Sequence, residues 1–193
     1  GGGILNEAST LQMSHCIISG NSIGGSSGGN YGGGLATRVG TLIMTDCTLS
    51  DNSFNTSLAP VRGGGLASVV STVSLTNCTL SGNSARNGRN NSEGGGIYTE
   101  RSTLTLTNTT LSNNFARDTG SNAGGGIYIY SGTANLIGST LSGNFASTLG
   151  NSTLNRGGGV FTACGFDSAT TLCIVNSTLS GNSVSGGSGS NTG

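Results

Sequence analysis

The sequence predicts an all-β protein, a right-handed parallel β-helix (β-solenoid) of six coils with about three short strands in each coil. Three observations lead to this prediction: a glycine triplet recurs every 30 to 33 residues, an alternating apolar segment follows each triplet, and an asparagine lies near the end of each unit. A fixed period of this length is typical of solenoid repeats. We expect a single domain, residues 1–193, with the units 1–31, 32–62, 63–93, 94–123, 124–156 and 157–193.

Each unit opens with three glycines followed by a branched aliphatic residue, as in the stretch from Gly94 to Ile97. Because glycine adopts positive φ and allows close backbone approach, we expect at least one glycine of each triplet to need one of these properties. A phosphate-binding loop is the competing interpretation, but it requires a following helix, and no segment has a helical period. The first glycines of the triplets are Gly1, Gly32, Gly63, Gly94, Gly124 and Gly157.

The segment Thr103–Thr107 alternates between threonine and leucine, which predicts a strand with one buried face. Strands at the same place in successive units pair best with one another, which gives parallel, in-register sheets. Crossovers between parallel strands are usually right-handed. The 9 to 12 residues before each new triplet are polar and irregular, so we expect them to form loops along one edge.

An asparagine follows a Thr-Leu-Ser-type segment in all six units. We predict that these side-chain amides hydrogen-bond from coil to coil and form a ladder inside a turn, as amides do in other in-register stacks. Six equivalent ligand-binding asparagines are the alternative. The residues are Asn21, Asn52, Asn83, Asn114, Asn144 and Asn182.

Cys16, Cys47 and Cys78 occupy the same position in the first three units. This position takes small residues in later units, so we predict a buried stack of free thiols. A disulfide between adjacent coils is the alternative, although in-register geometry often suits it poorly. The later units hold hydroxyl residues there, namely Thr109, Ser139 and Ser177.

Cys164 and Cys173 lie on either side of an extra segment in the last unit. We predict a disulfide between them, which would suit an extracellular chain. His15 is the one histidine in the sequence and no Cys-x-x-Cys pair occurs, so we do not expect a zinc site.

Charged residues make up 7% of the chain, and seven arginines balance seven acids. A net charge near zero gives no electrostatic reason to bind nucleic acid or an anionic membrane. It also removes the repulsion that opposes self-association. No apolar run approaches the ~18 residues that a membrane span requires.

The acidic residues are scattered over different units. Asp46 and Asp51 come from one unit and are the nearest candidate pair for paired-carboxylate chemistry. We expect no catalytic site, no metal and no cofactor. The acids are Glu7, Asp46, Asp51, Glu93, Glu100, Asp118 and Asp167.

Tyr98, Tyr128 and Phe161 follow the branched aliphatic residue in the last three units. By alternation they point outward, so we predict an exposed aromatic strip. Such a strip could bind sugars or another fibre, and simple stacking between coils is the alternative. Among the N-x-S/T sequences, Asn90 and Asn151 lie in the expected loops and are the candidate glycan sites.

The combination of Gly-Gly-Gly-[Ile/Leu/Val] with a later Leu-x-x-Asn, such as Leu80 to Asn83, resembles the repeats of polymorphic outer-membrane and adhesin-type bacterial surface proteins. The resemblance covers all six units. It implies a right-handed parallel β-helix that is secreted or displayed on a cell surface. It does not imply one activity, because a fold hosts many functions.

The chain opens on a triplet at Gly1 and stops where a seventh would begin, so we expect uncapped ends with exposed strands. The leading hypothesis is a structural extracellular protein that forms filaments by head-to-tail stacking with itself. One alternative is a binding module from a longer adhesin, with a carbohydrate or a cell-surface ligand as partner. A carbohydrate-active enzyme is the third hypothesis. The expected axial interface comprises Ile4, Leu11, Met13, Ile18, Leu172, Ile174 and Leu179.

Overall fold

The structure, a computed structural model, describes residues 1–25, 31–56, 60–87, 91–150, 154–165, 169–187 and 191–192. This part of the chain contains no helix and forms a parallel β-solenoid, which confirms the predicted fold class. The right-handed sense of the coil stays a prediction. No helix in these ranges is long and apolar enough to cross a membrane.

The strands form five parallel sheets that run along the solenoid. Sheet 1 contains Ile4–Glu7, Leu35–Arg38, Leu66–Val69, Ile97–Glu100, Ile127–Tyr130 and Val160–Ala163. Sheet 2 contains Thr10–Ser14, Thr41–Thr45, Thr72–Thr76, Thr103–Thr107, Thr133–Ile137 and Thr171–Val175. Sheet 3 contains Ile17–Ser19, Thr48–Ser50, Thr79–Ser81, Thr110–Ser112, Thr140–Ser142 and Thr178–Ser180. Sheet 4 contains Ser22–Gly25, Ser53–Thr56, Ser84–Asn87, Phe115–Asp118, Phe145–Thr148 and Ser183–Ser185. Sheet 5 is shorter and contains Val61–Arg62, Ser92–Glu93, Asn122–Ala123 and Asn155–Arg156.

The expectation of three strands per coil was too low, because the described residues of the second to fifth units, called repeats two to five below, form five strands in each. The additional strands belong to sheets 4 and 5 and lie in the segments expected to be loops. The strand Phe115–Asp118 shows why they were missed: its inward residue is Ala116, a small side chain that gives a weak apolar signal. The segments before each triplet therefore contribute to the solenoid wall as well as to its edge.

The core is a column of aliphatic side chains between sheets 1, 2 and 3. In the strand Thr103–Thr107, Leu104 and Leu106 are fully buried and the threonines between and beside them face outward. Leu104 pairs in register with Val73 on one side and Ala134 on the other. Burying each leucine side chain stabilises the fold by about 1.5–3 kcal/mol, so the two-residue alternation fixes the register of the stack.

The glycine triplets mark the entry into sheet 1, and each glycine of a triplet meets a different constraint. The first glycine has positive φ in repeats two to six, with values from +54° to +74°. A Cβ on the second glycine would meet neighbouring backbone, as at Gly95, where the Phe115 carbonyl carbon would lie 2.3 Å away. A side chain is therefore excluded by conformation at the first position and by space at the second.

The third residue of each sheet 1 strand points into the solenoid and forms a partly polar column. Asn6 Nδ2 donates to Thr37 Oγ1 at 3.0 Å. The hydroxyls of Ser68 and Thr99 are buried without a hydrogen-bond partner among the described residues. Ile129 continues the column directly beside Thr99, so an apolar side chain is accepted there.

Replacing Thr99 by valine should raise the free energy of unfolding by about 1 kcal/mol, because it removes an unpaired buried hydroxyl at nearly constant shape. The matched variant Thr37→Val should lower it slightly, since it deletes one of three acceptors of Asn6 Nδ2 and leaves the Ser9 and Thr41 carbonyls. Urea unfolding of both variants measures the difference. A loss of stability in Thr99→Val equal to that in Thr37→Val would contradict this explanation.

Candidate functional site

The predicted asparagine ladder is present along the whole solenoid. Each Nδ2 donates to Oδ1 of the asparagine in the next repeat, at 2.9 to 3.1 Å. The backbone N–H of each asparagine donates to the same oxygen at 3.0 Å. Asn114 Nδ2 also donates to the Leu80 carbonyl at 2.9 Å, so a fully buried amide has both its donors and its acceptor paired.

The third glycine of each triplet makes room for this ladder. A Cβ on Gly34 would lie 2.7 Å from Asn52 Cγ, and one on Gly96 would lie 3.1 Å from Asn114 Cγ. The third glycine of each triplet and the ladder asparagine therefore pack directly against each other. Their recurrence at a fixed spacing is the reason that the sequence signal was strong.

A second ladder passes through the position of the three cysteines. The Cys16 backbone N–H donates to Cys47 Sγ at 3.4 Å, and Cys78 N–H donates to Thr109 Oγ1 at 3.3 Å. Cys16, Cys47 and Cys78 are free thiols. Burial raises the pKa of the Cys78 thiol, which keeps it protonated and able to donate to the Thr76 carbonyl.

The disulfide predicted between Cys164 and Cys173 is not formed in the structure, where both are exposed free thiols. Cys164 follows the end of a sheet 1 strand, whereas Cys173 lies in the middle of the sheet 2 strand Thr171–Val175. The sheet 2 strand directs Cys173 outward, opposite to Leu172. A longer connecting segment therefore did not imply that its flanking cysteines meet.

The expected axial residues lie on two opposite faces. Ile174 and Leu179 on the face of repeat six are 43% and 45% exposed, and they border a depression of about 400 Å³. On the face of repeat one, Ile4, Leu11 and Met13 are half-buried against the core. Ile18 does not belong to this exposed set, because it is 6% exposed and is part of the aliphatic core. Leu172 is half-buried and lines the repeat-six depression.

The aromatic strip is stacked as expected but is not exposed. Tyr98 and Tyr128 are 1% and 8% exposed, with ring centroids 5.5 Å apart and an interplanar angle of 16°, and Phe161 continues the stack at 5.4 Å. Alternation correctly places these rings outside the aliphatic core, but side chains of neighbouring segments cover them. Ala123 of sheet 5 packs against them, and the Arg62 guanidinium lies 5.3 Å from the Tyr98 ring centroid.

Beside the covered rings lies a cleft of about 360 Å³, which we name the aromatic cleft. It lies between sheets 1 and 5 and combines phenol, guanidinium and carboxylate groups. A smaller depression of about 110 Å³ shares Glu93 and Tyr128 with it. The aromatic cleft is lined by Arg62, Glu93, Tyr98, Glu100, Arg101, Tyr128 and Tyr130.

Three hydrogen bonds hold the charged groups of the cleft in place. Arg62 Nε donates to Glu93 Oε2 at 3.1 Å, and Arg62 also donates to the Tyr31 hydroxyl at 3.0 Å. The Tyr98 hydroxyl donates to Glu100 Oε2 at 2.9 Å. Burial raises the pKa of the Glu93 carboxyl, and Arg62 opposes this rise without cancelling it. Burial likewise raises the pKa of Tyr98, so its hydroxyl remains a donor.

Sequence reasoning missed this cleft because its charged residues do not repeat. Glu93 belongs to sheet 5 and Glu100 to sheet 1, and their equivalents in the next repeat are Ala123 and Tyr130. The pair chosen from the sequence, Asp46 and Asp51, instead occupies two left-handed turns with φ of +52° and +55°. Asp46 lies 3.6 Å from His15 Nε2. No cluster of metal-ligating side chains occurs in the described ranges.

A second aromatic stack was also missed. Phe115 and Phe145 of sheet 4 lie 5.1 Å apart at 7°, with the Arg86 guanidinium 4.6 Å from the Phe115 ring centroid. The signal was available, since phenylalanine directly follows the ladder asparagine in repeats four and five. The candidate glycan sites Asn90 and Asn151 lie outside the described residues.

Replacing Asn114 by alanine should lower the free energy of unfolding by about 3 kcal/mol or more, because several buried donors and acceptors lose their partners together. The control is Asn113→Gly at the adjacent exposed turn, where φ is +53° and the next repeat already has Gly143. This control should be nearly neutral. Urea unfolding measures the free energy of unfolding of both variants. Equal effects of the two changes would contradict a structural role for the ladder.

Stability should depend on pH through Glu93 and Asp118, whose carboxyl pKa values are both raised by burial. A raised pKa means that the folded protein binds the proton more readily than the unfolded chain. The free energy of unfolding should therefore fall as the pH rises from the unfolded pKa, about 4, through the folded one.

Glu93→Gln should reduce this slope, and Asp118→Asn should reduce it further. Urea titrations at a series of pH values measure the slope in each variant. A slope that is unchanged in both variants, or that has the opposite sign in the parent protein, would show that these carboxyls are not its source.

Comparison of the chain with protein-family models, curated proteins and solved structures gave no match. The parallel β-solenoid implied by the resemblance to bacterial surface repeats is nevertheless present.

Proposed function

We propose that this protein is a structural, extracellular subunit that stacks head to tail with further copies of itself to form a filament. The observation that carries the proposal is the complementarity of its two axial faces. Among the described residues, both faces present strands of sheets 1 to 4, together with the ladder positions and core columns that pair inside the solenoid. Contact between a repeat-six face and a repeat-one face would repeat the interior geometry and generate an open, heterologous assembly.

The asparagine ladder supplies one part of this complementarity. Inside the solenoid, each asparagine donates its backbone N–H and Nδ2–H to the amide oxygen of the next repeat. In the described structure, Asn182 Nδ2 donates to the Leu141 carbonyl, and no further asparagine follows in register. Asn21 Oδ1 accepts no bond from the described residues, whereas its equivalent Asn52 Oδ1 accepts two. The donors on one face thus match the acceptor on the other.

Apolar surface supplies the second part. Ile174 and Leu179 pair in register with Leu136 and Leu141, which are fully buried. Covering the two exposed side chains to the same extent would remove apolar area from water, which favours association. On the opposite face, Met13 ends the column that contains Ile174, and Ile18 ends the column that contains Leu179.

Electrostatics does not oppose the contact. The chain has no net charge at neutral pH, with histidine neutral. Like-charge repulsion between copies is therefore weak. The described ion pairs, such as Arg38–Glu7 and Arg62–Glu93, join neighbouring repeats on the outer side of sheets 1 and 5.

The resemblance to adhesin-type surface repeats supports an extracellular location and suggests a second candidate function, a ligand-binding module. The aromatic cleft is the observation that favours this candidate. We assign no catalytic role to the cleft, because the Glu93 carboxylate is already paired with Arg62.

Electron microscopy of the purified 193-residue chain tests the proposed function. Filaments should form as the protein concentration rises, with an axial repeat of ~29 Å, which is six strand spacings of ~4.8 Å. Stable monomers at high protein concentration would overturn the proposal.

The matched variants are Leu179→Glu on the repeat-six face and Leu149→Glu on the side of the solenoid, where Leu149 is 63% exposed. Leu179→Glu should abolish filaments because a carboxylate would be buried without a partner. Leu149→Glu should leave them intact. Assembly that survives Leu179→Glu would show that association is lateral.

A further inference from the structure

We propose that the aromatic cleft binds a neutral polysaccharide, with one sugar in the cleft and the adjacent sugar in the smaller depression. This inference is independent of axial stacking, because the cleft lies on the side of the solenoid between sheets 1 and 5. It requires a ligand that is uncharged, rich in hydroxyl groups and extended along the solenoid axis. The shape, the charge and the hydrogen-bonding groups of the cleft each support one of these properties.

The shape fits an extended ligand. The cleft and the smaller depression have volumes of about 360 and 110 Å³ and share Glu93 and Tyr128. The larger volume lies at the lower end of small-molecule sites, about 300–1,000 Å³. The smaller depression is displaced along the solenoid, since it adds Asn122 and Phe161 from later repeats. Two connected spaces of this kind suit successive units of one chain.

The charge fits a neutral ligand. Within the aromatic cleft, Arg62 and Arg101 are balanced by Glu93 and Glu100. The smaller depression adds Arg156, whose guanidinium lies 5.7 Å from the Phe161 ring centroid. The Arg62 charge is compensated by Glu93 at 3.1 Å, so an anion would gain little there and would meet Glu100. A cation would meet Arg62 and the exposed Arg101, which has no ion pair within the described residues. A ligand charge that is desolvated in the cleft without a matching partner lowers the affinity, and this holds for either sign of charge.

The hydrogen-bonding groups fit a polyol. Arg62 uses two of its five N–H donors on Glu93 and Tyr31. No described residue donates to Glu93 Oε1 or Glu100 Oε1, since the bonds from Arg62 and Tyr98 go to Oε2 of each residue. Both oxygens can therefore act as acceptors, and Arg101 lines the same cleft. Neighbouring hydroxyls of a sugar can donate to a carboxylate and accept from a guanidinium at once. Such fixed partners cost little reorganisation on binding.

The aromatic rings supply the apolar surface that a sugar ring needs. Tyr130 is half-buried and lines the cleft, and Phe161 is half-buried in the smaller depression. A tyrosine offers a flat apolar face and a polar tip, the combination that suits a ligand with C–H and O–H groups.

The test is isothermal titration calorimetry on the Leu179→Glu variant, so that any filament formation does not interfere. The probes are the neutral hexasaccharides of β-1,4-glucose, β-1,3-glucose, β-1,4-mannose and β-1,4-xylose, together with oligogalacturonate as the anionic counterpart. At least one neutral probe should bind, and oligogalacturonate should bind at least tenfold more weakly. Absence of binding by all four neutral probes at millimolar concentration would overturn the proposal, as would preference for oligogalacturonate.

Two variants and one control locate the binding. Glu100→Gln and Tyr130→Ala should each weaken binding at least tenfold, and the fold should accept the second change because repeat six has Ala163 at the equivalent position. The control Glu7→Gln changes the corresponding residue of repeat one, which lies outside the cleft and contacts Arg38. It should bind like the parent protein. Equal losses in all three variants would place the binding elsewhere.

Discussion

The contact between the glycine triplet and the asparagine ladder is the constraint on which the rest of the solenoid depends. The buried amides need the space that a Cβ on the third glycine would take. The amides in turn fix the distance between repeats, because each one bonds to both neighbours. The aliphatic core then follows in register. Side chains on the outer face are released from this constraint, so they are free to differ between repeats.

The difference between the constrained interior and the variable outer face explains which features the sequence could predict. The fold and the ladder were predictable because their residues recur in every repeat, and identical positions stack on identical positions. Sheet 4 was not predicted as a sheet because its inward column mixes Phe54, Ala85 and Ala116, which does not give a uniform apolar signal. The burial of Tyr98 was missed for a different reason: alternation shows which face of a strand a ring occupies, but not what covers that face.

The cleft shows the limit of repeat-based reasoning most clearly. Arg62, Glu93 and Glu100 come from two sheets and have no like-charged equivalents in the repeat that follows. Their association follows from the coil, which places the end of one repeat beside the start of the next. A single sequence cannot reveal such a site by periodicity, because the site consists of departures from the period. The predicted disulfide failed for a related reason, since spacing along the chain does not give distance across two sheets.

The direction of the asparagine ladder has a consequence for any assembly built from this chain. Every amide hydrogen bond in the ladder runs from one repeat to the next in the same sense. A filament of stacked copies would therefore have structural polarity, with two chemically different ends. One end would present amide oxygens and the other would present N–H groups. Subunits would be added to the two ends at different rates, and a capping protein could recognise one end and ignore the other.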